Sequence, residues 1–168
     1  MVGVSILAVV LALAAPAYQQ FGRNTRVVTQ ASELQGALTY ARSESLRRGV
    51  RVSVCRSAAP QASSPACSAS GGWAGGWLVF VDNVQVSGNV AGVVDGTDTV
   101  LRVGEAAIGS AVTTTGNLGG WLSYSPQGLV RTDGGPANGA FTVCQAPHGR
   151  RIAVTPVGLV TNTEQVCS

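Results

Sequence analysis

VGVSILAVVLALAAPAYQQFGRNTRVVTQASELQGALTYARSESLRRG, residues 2–49, is one uninterrupted helical pattern, and the reading of the rest of the chain follows from it. Val2 to Ala15 carries no charge, and only Gly3 and Ser5 relieve its apolar run. Polar residues enter from Gln19 onward, yet Val27, Ala31, Leu34, Leu38 and Ala41 step by four, three, four and three, which lines them along one stripe of a helix. Glu44 stands three before Arg47 and four before Arg48, the favourable order for helical ion pairs. Those arginines occupy the last turn, where cations meet the negative end of the helix dipole, and Gly49 follows as a left-handed cap. Such a helix is roughly 70 Å long at about 1.5 Å per residue, too long for the core of a chain this size. Its first third therefore calls for lipid or other helices as cover, and its last third for a sheet.

Val2 to Ala15 spans about 21 Å as a helix, against about 30 Å of hydrocarbon in a bilayer. Three readings compete: a signal peptide, since Ala15-Pro16-Ala17 has the small-x-small form but no cationic leader precedes it; part of a buried helix; or the rear portion of a membrane helix. The stripe continues past Pro16 without a linker, which favours the third. It makes Val2, Val4, Ile6, Leu7, Val9, Val10, Leu11 and Leu13 the membrane- or filament-core-facing set, with a kink expected at Pro16. The chain then divides into residues 1–22, the transmembrane or filament-core half of the helix, and residues 23–168, a head domain.

The 168 residues include 22 glycines, 11% charged residues and 5% aromatics, the profile of a β-rich, loop-rich fold. All 11 basic residues are arginine, and a formal charge of +3 gives little reason by itself to expect nucleic acid. Cys55, Cys67, Cys144 and Cys167 form two sequence-local pairs, without the spacing of a zinc site. Disulfides Cys55–Cys67 and Cys144–Cys167 in an oxidising compartment fit better than four free thiols in a cytosolic protein.

After Gly49 the period changes to two. Val50, Val52 and Val54 alternate with Arg51, Ser53 and Cys55, which reads as a first strand with one polar face. RSAAPQASSPACSASGG, residues 56–72, is loop, and Gly75 to Asp82 is the clearest strand, apolar on both faces. Further strands are expected at Thr99–Val103, Ala111–Thr115, Trp121–Ser125, Ala140–Gln145 and Arg151–Thr155, separated by Gly- and Pro-containing turns. No internal repeat is expected. A long helix followed by short antiparallel strands makes an α+β domain, with the sheet packed on the helix stripe.

Four stretches carry a family resemblance: MVGVSILAVVLALAAPAY at the start, LQGALTYARSESLRRGVRVSVC (residues 34–55), WAGGWLVFVD (residues 73–82), and GLVRTDGG with FTVCQAPHGRRIAVTPVGLV towards the end. Together they resemble the type IV pilin-like proteins, in particular the FimT/FimU/GspH group of minor pilins and pseudopilins. The first stretch is similar to the back of the pilin N-terminal segment, whose usual front, Gly then Phe-Thr-Leu-Ile-Glu-Leu, is not among the quoted residues. The resemblance implies a structural minor pilin at or near the tip of a type IV pilus. It would be held in the inner membrane before assembly, with a periplasmic head, and would be partnered by other minor pilins and the major pilin. The alternatives it implies are a type II secretion pseudopilin, partnered by other pseudopilins, and a DNA-binding minor pilin for uptake. DNA-binding members carry Gly-Arg-x-Arg near the C-terminus; here the matching residues are Gly158-Leu159-Val160-Thr161, without arginine.

Arg47, Arg48, Arg51, Arg56, Arg150 and Arg151 are the candidate DNA contacts, since guanidinium forks suit phosphate; as solvated faces and helix-end charges they need no ligand. Duplex binding is accordingly expected only in the non-specific range, about 10⁻⁴ to 10⁻⁶ M. Trp73, Trp77 and Trp121 lie in period-two stretches and read as core before stacking platforms. His148, beside Gly149 in an expected turn, lacks a nucleophile partner. The acids Glu33, Glu44, Asp82, Asp95, Asp98, Glu105, Asp133 and Glu164 show no paired spacing for acid–base work or a calcium loop. No enzyme, cofactor or metal is expected.

Overall fold

The computed structural model describes residues 2–167, with side chains from residue 20 onward. Helix α1 runs over Val2–Arg48 and is followed by ten strands: β1 Val52–Arg56, β2 Trp77–Val81, β3 Thr99–Gly104, β4 Ala111–Gly116, β5 Trp121–Tyr124, β6 Val130–Thr132, β7 Gly135–Pro136, β8 Gly139–Gln145, β9 His148–Val154 and β10 Val160–Val166. All pair antiparallel, in a six-stranded sheet ordered β3-β2-β1-β5-β6-β7 and a four-stranded sheet ordered β10-β9-β8-β4.

The helix stops where its backbone can be closed off. The Gly49 amide donates to the Ser45 carbonyl at 3.0 Å, and Gly49 takes a φ of +67°, a conformation costly for any residue with a Cβ. Val27, Ala31, Leu34, Leu38 and Ala41 are buried, with Ala37 beside them. This stripe meets Val52, Val54, Val79, Leu122 and Tyr124 of the larger sheet and Phe141, Ile152 and Val154 of the smaller one in a single core. Alternating alanines let the strands approach the helix axis, while the leucines and Val27 supply most of the buried apolar area.

Three expectations are corrected here. β1 does not present a polar face to solvent: Val52, Ser53, Val54 and Cys55 are all buried. The loops after β1 and β2 cover its outer side, where Ser53 donates to Asp82 and Cys55 packs with Leu78 and Phe80. β6, β7 and β10 are additional strands; β10, Val-Thr-Asn-Thr-Glu-Gln-Val, has no apolar alternation and is fixed by its seven-residue register with β9.

An internal repeat is also present. Ser125-Pro126-Gln127-Gly128-Leu129-Val130 and Thr155-Pro156-Val157-Gly158-Leu159-Val160 form twin hairpin turns. In each, the first residue's amide donates to the leucine carbonyl (2.9 and 3.1 Å), and its hydroxyl accepts from the leucine amide (3.3 and 3.2 Å). The glycines take φ of 76° and 80°, as these turns demand.

Among the described residues no helix is long and apolar enough to cross a membrane. The side chains of Val2, Val4, Ile6, Leu7, Val9, Val10, Leu11 and Leu13, and the kink expected at Pro16, lie outside the described residues.

Candidate functional site

The end of α1, the start of β1 and the twin turns meet at one pole of the head, where three of the six candidate arginines, Arg47, Arg48 and Arg51, lie. Glu44 accepts from Arg47 Nη2 at 2.7 Å and from Arg48 Nε. Hydrogen bonds from Arg47, then Arg48, hold the Glu44 carboxyl down to about 2. Arg51 Nε lies 3.1 Å from Asp82 Oδ2, and its guanidinium stands 5.2 Å from the centroid of the Trp121 ring. Asp82 is fully buried, and the same oxygen accepts from Ser53 Oγ and, at 2.9 Å, from the Gly92 amide. Arg56 donates from Nε to the Ser68 carbonyl at 3.1 Å and from Nη2 to the Ala69 carbonyl at 2.6 Å, fastening the loop that holds Cys67.

Arg150 and Arg151 are elsewhere, on β9. Arg150 stands in register with Val143 and Glu164, and Arg151 with Thr142 and Thr163. Adjacent strand residues point to opposite faces, so these two cannot act as one patch. Arg56 ends β1, away from Arg47, Arg48 and Arg51, so the six arginines make no single patch, and Arg47, Arg48, Arg51 and Arg56 are already committed to internal acceptors. Beside Arg51 opens a cavity of about 350 Å³ whose lining includes Asp82, Asn83, Ser123, Ser125 and Arg131.

Arg42 was not singled out by sequence, yet it joins three elements. Its Nη2 donates to the Val157 carbonyl at 3.1 Å. A Cβ at Gly158 would stand 2.9 Å from Arg42 Nε and 2.4 Å from the Gly128 carbonyl, and one at Gly128 would stand 3.2 Å from Nε. Both turns therefore close over the guanidinium through their glycines. Only its place one residue after Ala41 on the buried stripe hinted at this.

The structure joins Cys55 to Cys67 and Cys144 to Cys167, with Cα separations of 5.6 and 5.9 Å. The second bond ties the end of β10 to β8 across Gly149, where a Cβ would lie 2.2 Å from Cys167 Sγ.

These features, a long helix laid on antiparallel sheets and a disulfide-pinned C-terminal strand, can be set against known proteins. The family model described as type II transport protein GspH matches residues 30–158. The chain belongs to the GspH family. Two crystal forms of the type IV minor pilin FimU from Pseudomonas aeruginosa share its fold. One is 19% identical, covers 83% of this chain and 98% of that one, and has a TM-score of 0.56. The other is 18% identical, covers 88% and 99%, and has a TM-score of 0.60. Among curated proteins none matches.

In this GspH-family head, Trp73 and Trp77 are buried; Trp73 donates to the Gly119 carbonyl at 2.9 Å and meets Phe141 edge-on at 4.8 Å. Trp121 is half-buried under Arg51. His148 does not sit in a turn, as expected from its neighbour Gly149; it opens β9, paired with Gln145 and Val166, and the turn is Ala146-Pro147. Asp98 accepts from the amides of Asn83 and Asp95, and burial, the larger effect, raises its carboxyl above the usual range. Among the described residues no group of His, Cys, Asp or Glu could hold a metal ion.

Proposed function

We propose that this chain is a structural minor pilin subunit at or near the tip of a type IV pilus. Residues 1–22 would be its membrane and filament-core segment, and residues 23–168 its head. The observation that carries the reading is the single helix of 47 residues: among its described side chains the stripe from Val27 to Ala41 serves the head's core, and the uncharged stretch Val2–Ala15 lies earlier in the same helix. Fourteen residues from Val2 to Ala15, most of them apolar, gain roughly 1 kcal/mol or more per large side chain on leaving water. The inner membrane first, and parallel helices of other pilins afterwards, provide that cover. The head needs no catalytic group for this role and meets neighbouring subunits through its surface.

The GspH description favours a second reading, a type II secretion pseudopilin, which uses the same physics in a periplasmic filament. A DNA-receptor role is the weakest of the three: Leu159 and Thr161 stand where DNA-binding members carry arginines, and most candidate arginines are engaged internally. Deletion of the gene, with surface pili and type II secretion both measured, separates the readings. Loss of pili with secretion intact is the expected result. Loss of secretion with pili intact replaces it with the pseudopilin, and loss of neither overturns both.

A further inference from the structure

The cavity of about 350 Å³ beside Arg51 has a donor-rich lining that the filament role leaves unused. Ser53 on β1, Ser123 on β5 and Arg131 on β6 stand in register across three neighbouring strands, so their side chains share one face of the sheet. Arg51 reaches the same face, since it and Ser53 both meet Asp82 Oδ2. Two guanidinium groups therefore border the cavity on either side of Ser123, rising from strands about 10 Å apart.

Arg51 is held in place before any ligand arrives. Its Nε meets Asp82 at 3.1 Å and its guanidinium stands over Trp121, while Asp82 is itself fixed by Ser53 and the Gly92 amide. Nε and Nη2 are buried, yet 24% of the side chain stays exposed, which leaves Nη1 as the nitrogen turned towards solvent. Arg131 is exposed, and its side chain joins no salt bridge among the described residues. Ser125 Oγ accepts from the amides of Gln127 and Leu129, so its own proton is free for an acceptor in the cavity. Asp82 is the one acid in the lining; against Arg51 and Arg131 it leaves a single positive charge unmatched. Val50, Val84 and Pro126 give the rest of the wall an apolar character.

We propose that this cavity binds a small organic carboxylate with a compact apolar body, its oxygens taken by Arg51, Arg131 and the Ser125 hydroxyl. Ligand pockets run from about 300 Å³ upward, so this one has room for a ring or a single side chain and not for a polymer. Guanidinium groups take carboxylate and phosphate alike, and the remaining wall decides between them. A carboxylate brings one charge to match one, and its apolar body covers Val50, Val84 and Pro126. A phosphate dianion brings a second charge towards Asp82 and nothing to cover the apolar wall. The carboxylate comes either from a free acid or from the last residue of a peptide. The site stands apart from the filament role, so neither result decides the other.

The test is a fluorine NMR titration of para-fluorobenzoate with the full chain in nonionic detergent, para-fluorobenzamide being the uncharged control. The expected result is saturable binding of the acid alone, weakened at least about tenfold by Arg131→Gln and unchanged by Arg151→Gln, an exposed arginine on β9. Arg131 contributes only its backbone to the ladders of β6, so the variant keeps the fold. Absence of saturable binding, equal binding of the amide, or equal binding to Arg131→Gln overturns the site. Inorganic phosphate that displaces para-fluorobenzoate as readily as benzoate does overturns the carboxylate class. Given binding, a short peptide with a free C-terminal phenylalanine that displaces the probe at lower concentration than benzoate, while its C-terminal amide does not, identifies a peptide end as the source. Displacement by benzoate at lower concentration than the peptide identifies a free acid.

Discussion

Glu44 shows how one carboxylate organises the end of a helix. Two arginines converge on it, and its carboxyl lies near 2 rather than the 4.5 of a free glutamate. Between those values an unfolded chain takes up a proton that the folded chain refuses, so stability rises with pH across the window. The stabilisation is fully present above about 4.5 and lost as pH falls through about 2. Glu44→Gln should therefore lower the urea midpoint at pH 7, with the gap narrowing at pH 3 and closing near pH 2. A gap that stays constant would show that the pair contributes no charge-dependent stability. Glu44 was legible because three- and four-residue spacings state the partners outright. Asp82 and Arg42 were not: their partners lie on other elements, Ser53, Gly92 and Arg51 in one case and the two turns in the other.

Elements were readable wherever one pattern dominated. The α1 stripe has a period that only a helix satisfies, and β2 is a continuous apolar run, buried on both faces. β10 escaped because its residues alternate between polar and polar; what holds it is the ladder to β9 and the bond from Cys144 to Cys167. β1 was half-read, since Ser53 and Cys55 look like a wet face until the loops above them are placed. Leu38 lies fully buried at the centre of the stripe, between both sheets. Leu38→Ala should cost about 2–5 kcal/mol, the range for emptying a close-packed leucine site, against under about 0.5 kcal/mol for Thr39→Ala on the exposed side of the helix. Urea denaturation of the two variants checks the contrast, and equal effects would mean that the stripe is not the core.

For the whole molecule, two requirements meet in one helix. Its second half completes a head that α1 shares with both sheets, and its first half has the composition of a segment that water does not suit. The fold class and the family were legible because both follow from that helix and the blocks beside it. The meeting of the twin turns over Arg42 was not, since six-residue turns thirty positions apart look unrelated until they stand side by side. In the role proposed above, residues 1–22 carry the head into a filament. Val10→Asp places one charge in the uncharged stretch and leaves every described head contact alone. The decisive measurement is the amount of this protein in sheared filaments from cells making the wild-type chain or the Val10→Asp chain. At least a tenfold loss is expected for Val10→Asp, with both native disulfides still formed in its head. Wild-type incorporation of the Val10→Asp chain would rule out that role for residues 1–22.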